Sequence, residues 1–135
     1  MKRVLIVILI LIATMSTALA SDSQWVEIGR ADGMTAKMDT TNYMAYGTKD
    51  NMVVNCVIWY DFDDGFIMIQ HTDIEIKTYK YRVTNRISKG TGHGVREDNL
   101  IKEGWKEPTR GSFEYMVLQN AVKWGNDNMD KVKML

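Results

Sequence analysis

Few side chains in this chain could carry a reaction, and those few are poorly placed for one. Cys56 is the only cysteine, and His71 and His93 are the only histidines. A nucleophilic thiol needs a partly exposed, electropositive setting with a base beside it. Cys56 falls instead among Met52, Val54, Ile58 and Tyr60, one apolar face of an alternating run, and reads as a buried thiol. No Gly-x-Ser-x-Gly elbow is present. Asp61, Asp63 and Asp64 crowd around Gly65, which is turn chemistry, whereas a calcium loop needs ligands at regular spacing. No spacing rule joins His71 to His93 in a metal site, and His93, between Gly92 and Gly94, reads as a loop residue. The run Gly90-x-Gly92-x-Gly94 lacks the helix start of a nucleotide-binding fingerprint and reads as a hairpin connection. Past residue 20 there are eight methionines: Met34, Met38, Met44, Met52, Met68, Met116, Met129 and Met134. Thioethers suit copper(I), but most of these lie on apolar faces, where methionine fills core space. The sequence therefore assigns no catalytic residue, no metal ligand and no cofactor.

The one functional lead is a basic strand face. In the stretch 74–94, Tyr79, Tyr81, Val83, Asn85 and Ile87 alternate with Lys80, Arg82, Thr84 and Arg86. Successive side chains of a strand point to opposite faces, so this pattern predicts a half-buried strand with a basic outer face. Lys80, Arg82 and Arg86 are the candidate partner-binding residues. Two other uses compete with binding: basic residues discourage pairing at sheet edges, and Asp73 and Glu75 can neutralise them across the sheet. No turn residue separates 66–76 from 78–88, which leaves open whether they form one strand or two.

The elements that must position these residues begin after a leader. Lys2 and Arg3, the apolar run 4–13 and the small-x-small site Ala18-Leu19-Ala20 make a secretory signal over 1–20, with cleavage between Ala20 and Ser21. The apolar run is shorter than the roughly 20 residues of a spanning helix, and no cysteine stands there for a lipid anchor. The expected product is periplasmic, surface-exposed or secreted. Of the 17 basic and 17 acidic residues the leader takes two basic ones, which leaves 15 against 17, a formal charge of −2. That balance argues against nucleic acid as a partner.

Residues 21–125 read as one domain and 126–135 as a polar, loosely ordered tail. Asp32-Gly33 between extended segments signals a hairpin. The run 52–62 is apolar on both faces, which predicts a central strand covered on both sides. Ser112 reads as a helix N-cap, followed by Phe113, Met116, Val117, Ala121 and Trp124 on one helical face. Gly125 is placed to end that helix in a left-handed conformation. The sum is an α+β arrangement, an antiparallel β-sheet of about five or six strands with one C-terminal helix packed on one face.

The order of these features resembles the surface-adhesin protein E family of small exported proteins of Gram-negative bacteria. The likeness runs through Trp25-Val-Glu-Ile-Gly, Met38-Asp39, Trp59-Tyr60, Ile74-Glu-Ile, Tyr81-Arg82-Val83, the glycine loop, Trp105, and residues 108–112 before the last helix. It implies a sheet with a C-terminal helix. For the founding adhesin it implies binding to host extracellular-matrix or serum proteins. Family members often carry cysteines where Lys77 and Lys123 stand here, so the staple that the resemblance implies is missing. The function expected is that of a non-enzymatic exported protein that binds a protein partner through its basic sheet face. The alternative is a periplasmic small-ligand or metal-binding module using His71, His93 or exposed methionines.

Overall fold

A computed structural model describes residues 24–135. The leader and its cleavage point at Ala20 and Ser21 lie outside the described residues. Among the described residues the strands are β1 (Trp25–Ala31), β2 (Met34–Asp39), β3 (Met44–Thr48), β4 (Asn51–Phe62), β5 (Ile67–Glu75), β6 (Tyr81–Lys89), β7 (Val95–Asn99) and β8 (Lys133–Met134), with one α-helix, α1 (Phe113–Asp127). They form an eight-stranded sheet in the order β1-β2-β4-β5-β6-β7, with β3 between β4 and β8. Every pairing is antiparallel except β3 with β8. No described helix is long and apolar enough to cross a membrane.

β4 organises the sheet. Its twelve residues pair along one edge with β5 and along the other with β2 and then β3. Val54, Cys56, Ile58 and Tyr60 are buried, and the alternate residues Asn55, Val57 and Trp59 are only half-buried. The buried face lies under α1. Tyr43 donates its hydroxyl to the Ala121 carbonyl at 2.9 Å, Tyr81 donates to Glu114 at 2.9 Å, and Asn120 donates to the Ile28 carbonyl at 2.7 Å. An irregularity at Ile28 in β1 turns both Ile28 and Gly29 inward. The helix then crosses so close that a Cβ on Gly29 would lie 2.8 Å from Val117. Ser112 caps the helix, accepting from the Tyr115 amide at 3.1 Å.

Cys56 is fully buried in this core. Burial, followed by the nearby Asp73 charge, pushes its thiol up to about 12, so it is not a thiolate at neutral pH.

The structure corrects three expectations and decides one open question. β4 is central but covered by the helix on one side only, because a single 15-residue helix spans one face of the sheet and not two. The stretch 66–88 is two strands, β5 and β6, joined by a turn in which Tyr79 takes φ 61°. Gly125 lies inside α1, which runs on to Asp127. The tail is not loose: its 3₁₀ turn at Met129–Lys131 leads into β8, whose register is held by Lys133 donating to the Tyr43 carbonyl at 3.1 Å and Leu135 donating to the Ala45 carbonyl at 2.9 Å.

The turn between β2 and β3 hangs on one buried carboxylate. Asp39, 4 % exposed, accepts from the Thr41 amide (2.9 Å), the Thr41 hydroxyl (2.7 Å), Asn42 (2.6 Å) and Gln24 (3.3 Å). Burial by itself would raise its pKa, but the donors from Asn42, Thr41 and Gln24 outweigh burial and hold it below the usual carboxylate value. A depressed folded-state pKa gives stability that is present above the unfolded value of about 4 and is lost as pH falls through the folded one. Asp39→Asn should cost about 1–2 kcal/mol at pH 7. It should also lose less stability than the parent between pH 5 and 2, as read from urea midpoints across that range.

Candidate interaction surface

The residues of the expected basic face do not stand together. β5 and β6 pair with Thr72 opposite Val83 and His71 opposite Asn85, so Thr84 is an extra residue in β6. A one-residue insertion turns every later side chain to the other face. Arg82, opposite Asp73, therefore lies on the sheet face away from α1, whereas Arg86, opposite Gln70, lies on the helix face. With the Gln70 amide oxygen turned toward it, Arg86 donates at 3.1 and 3.2 Å. Lys80 precedes β6 and belongs to the turn.

Arg82 is committed to structure. Its Nη2 and Nε lie 2.8 and 3.2 Å from Oδ2 of Asp73, whose side chain is 5 % exposed. Asn55 donates to the same carboxylate at 2.7 Å. The guanidinium carbon sits 4.7 Å from the centroid of the Trp105 ring. The hydrogen bond to Asp73 raises the Arg82 pKa above its ordinary value.

The two histidines are separated as well. His71 lies in mid-sheet between Val57 and Asn85, whereas His93 is in the loop beyond Lys89. Four strand residues, about 13 Å, separate Asn85 from Lys89 alone. Among the described residues no group of three or more His, Cys, Asp or Glu side chains is placed to hold a metal ion. Asp64 serves its turn, accepting from the Phe66 amide at 2.9 Å.

The face away from α1 carries a different set of side chains. In register across five strands stand Lys37, Trp59, Ile69, Ile87 and Glu97. The next row holds Val57, His71, Asn85 and Asn99. Trp25 meets Trp59 edge-on, with ring centroids 5.3 Å apart and planes at 87°. Trp59, Ile69, Ile87 and Val57 are half-buried by their neighbours along the sheet, and none is fully covered. The helix α1 lies on the opposite face, and Trp105, stacked on Arg82, covers one corner of this one. It is an apolar band about three strands wide with Lys37 at one end and Glu97 at the other.

No family model, curated protein or solved structure matches this chain. The surface must be judged on its own chemistry.

A Trp and two Ile side chains in cross-strand contact, with charges displaced to the ends of the row, reproduce the apolar centre and polar rim of a protein interface. Sequence reasoning saw both faces of β4 as apolar but assigned cover to each. One signal was present: a chain with a single amphipathic helix cannot cover both faces of a broad sheet.

Proposed function

We propose that this chain is an exported binding protein, of the surface-adhesin protein E type, that takes a protein partner on the face of its sheet turned away from the helix. The observation that carries the proposal is the half-buried row of Trp59, Ile69 and Ile87 with charge only at its ends. Export rests on the leader at 1–20 and the cleavage point between Ala20 and Ser21. The binding residues move from the basic trio to the apolar row, because Arg82 and Arg86 are spent on Asp73 and Gln70 and lie on opposite faces. Trp is the side chain most enriched among residues that dominate interface energy, which makes Trp59 the anchor. Host extracellular-matrix and serum proteins are one class of partner to screen, and proteins of the cell envelope are the other.

Two experiments test the proposal. Protease added to intact cells of the source organism should degrade the chain if it is at the surface. Protection with release on osmotic shock would place it in the periplasm and leave the envelope proteins as candidates. For a partner found by either screen, Trp59→Ala should weaken binding by at least about 2 kcal/mol, roughly thirtyfold in Kd. Lys80→Ala should leave affinity within about twofold. Equal affinity of the parent and a folded Trp59→Ala variant would remove this face from the binding site.

A further inference from the structure

A second site lies at the other side of the molecule, and it stands independently of the sheet-face proposal. The end of the β3–β4 hairpin, the last turn of α1 and the tail border a half-open cavity of about 210 Å³. Val54, Ile76 and Met52 line it from the sheet, and Met129 and Met134 from the tail. Among the described residues Lys49 is the one charged side chain in the lining.

Three observations point to a ligand. First, the wall is mostly aliphatic and thioether, with Tyr43, Asn126 and Lys49 its polar members, and a mainly apolar cleft with a few polar groups is the usual form of a small-molecule site. Second, Met129 and Met134 of the lining and the adjacent Leu135 are 64, 58 and 79 % exposed, a local concentration of large apolar side chains in the tail. Methionine is the side chain best able to re-form around a guest. Third, the charged side chain of the lining has no counter-ion among the described residues, and the tail beside it is basic. Lys49 and the tail residues Lys131 and Lys133 make no ion pair among the described residues, whereas Asp50 is 3.9 Å from Lys77 and Asp127 is engaged by Lys123. Asp130 is the one acidic side chain on the tail past the helix.

We propose that this cavity binds a single-chain amphiphile with an anionic head, a fatty-acid carboxylate of short to medium length. Its chain lies against Met52, Val54 and Ile76, and its carboxylate meets Lys49. The volume is below the roughly 300–1,000 Å³ of clefts that enclose drug-sized ligands, so one short chain fits and a two-chain lipid does not. The cavity opens to solvent beside β8, a two-residue strand that is the shortest pairing in the sheet.

The test is a titration of the full mature chain, 21–135, carrying ¹³C-methyl methionine, with monomeric sodium decanoate. Saturable shifts are expected at the Met52, Met129 and Met134 methyls, with Met34 and Met68 unmoved as internal references. Lys49→Glu changes an exposed side chain and leaves the fold intact; it should weaken decanoate binding about tenfold and leave binding of neutral decanol unchanged. Met129→Glu, also at an exposed position, should weaken decanoate in the same way. Shifts that never saturate, shifts spread evenly over all the methionines, or equal affinity of the parent and Lys49→Glu would each overturn the proposal. So would binding seen only with vesicles of anionic phospholipid, since that would make the patch a membrane contact and not a ligand cavity.

Discussion

Arg82→Ala should destabilise the fold by about 3 kcal/mol, more than any other single loss of charge among the described residues. The cost comes from what the substitution leaves behind. Asp73 is 3 % exposed, and its carboxylate would keep Asn55 but no cation. Breaking a buried ion pair on one side costs about 3–5 kcal/mol, because the remaining charge is held away from water. The 27 % exposure of the Arg82 side chain places the expected value at the lower end of that range. The lost stacking on Trp105 adds about 0.5–1 kcal/mol. Arg82→Lys should recover little, since an ammonium cannot supply Nε and Nη2 to one carboxylate. Asp73→Asn should cost less than Arg82→Ala, because it removes the buried charge and leaves Arg82 partly in solvent. Lys80→Ala should stay within about 0.5 kcal/mol of the parent. Urea midpoints of the four variants check the series, and an Arg82→Ala midpoint equal to that of Lys80→Ala would show that the pair contributes nothing. The result also bears on binding studies: a triple alanine variant at 80, 82 and 86 loses fold stability as well as charge, so its loss of binding would not by itself assign those residues to an interface.

This pair shows where the sequence stopped being legible. Asp73 and Arg82 were both visible, and so was the possibility that they neutralise each other across the sheet. What could not be read was the extra residue at Thr84, which splits the apparent ladder into two faces. A bulge is one residue in a backbone register, and Thr84 is as ordinary a strand residue as its neighbours. The turn before β6 was hidden for a related reason. Its left-handed position is filled by Tyr79, φ 61°, where glycine or asparagine would have marked it. Features with strong local chemistry were legible: Asp32-Gly33 is the β1–β2 hairpin, Asp63-Asp64-Gly65 turns β4 into β5, and Ser112 caps α1. The candidate surface fell between these cases. The composition of Trp59, Ile69 and Ile87 was plain, but their alignment depends on the register of three strands, which no local pattern fixes.

Gly125 is the second place where a correct residue was read for the wrong reason, and the two reasons predict different mutants. As a left-handed helix terminus, the position would accept asparagine almost as well as glycine. In the structure Gly125 is buried inside α1 and does not have a positive φ; what it provides is room. An added Cβ would lie 2.6 Å from Cζ and 2.7 Å from Cε1 of Tyr43 and would also meet the hydroxyl that bonds to Ala121. Overpacking costs about 1–3 kcal/mol and the endangered hydrogen bond about 1 kcal/mol. Alanine returns about 1 kcal/mol of helix propensity. Gly125→Ala should therefore lose about 2 kcal/mol, a fall of about 10 °C in Tm for a domain of this size. Gly125→Asn should lose more, since its longer side chain enters the same space and offers less propensity in return. Thermal melts of the two variants separate the alternatives: asparagine above alanine would restore the terminus, and alanine above asparagine would establish close packing. In a double-mutant cycle with Tyr43→Leu, the two costs should be far from additive, because removing the ring removes the clash. Tyr43 also packs at 5.1 Å on Trp124 and lines the tail cavity. The same contact therefore couples the helix end to the proposed ligand site, and Gly125→Ala should weaken decanoate binding as well as stability.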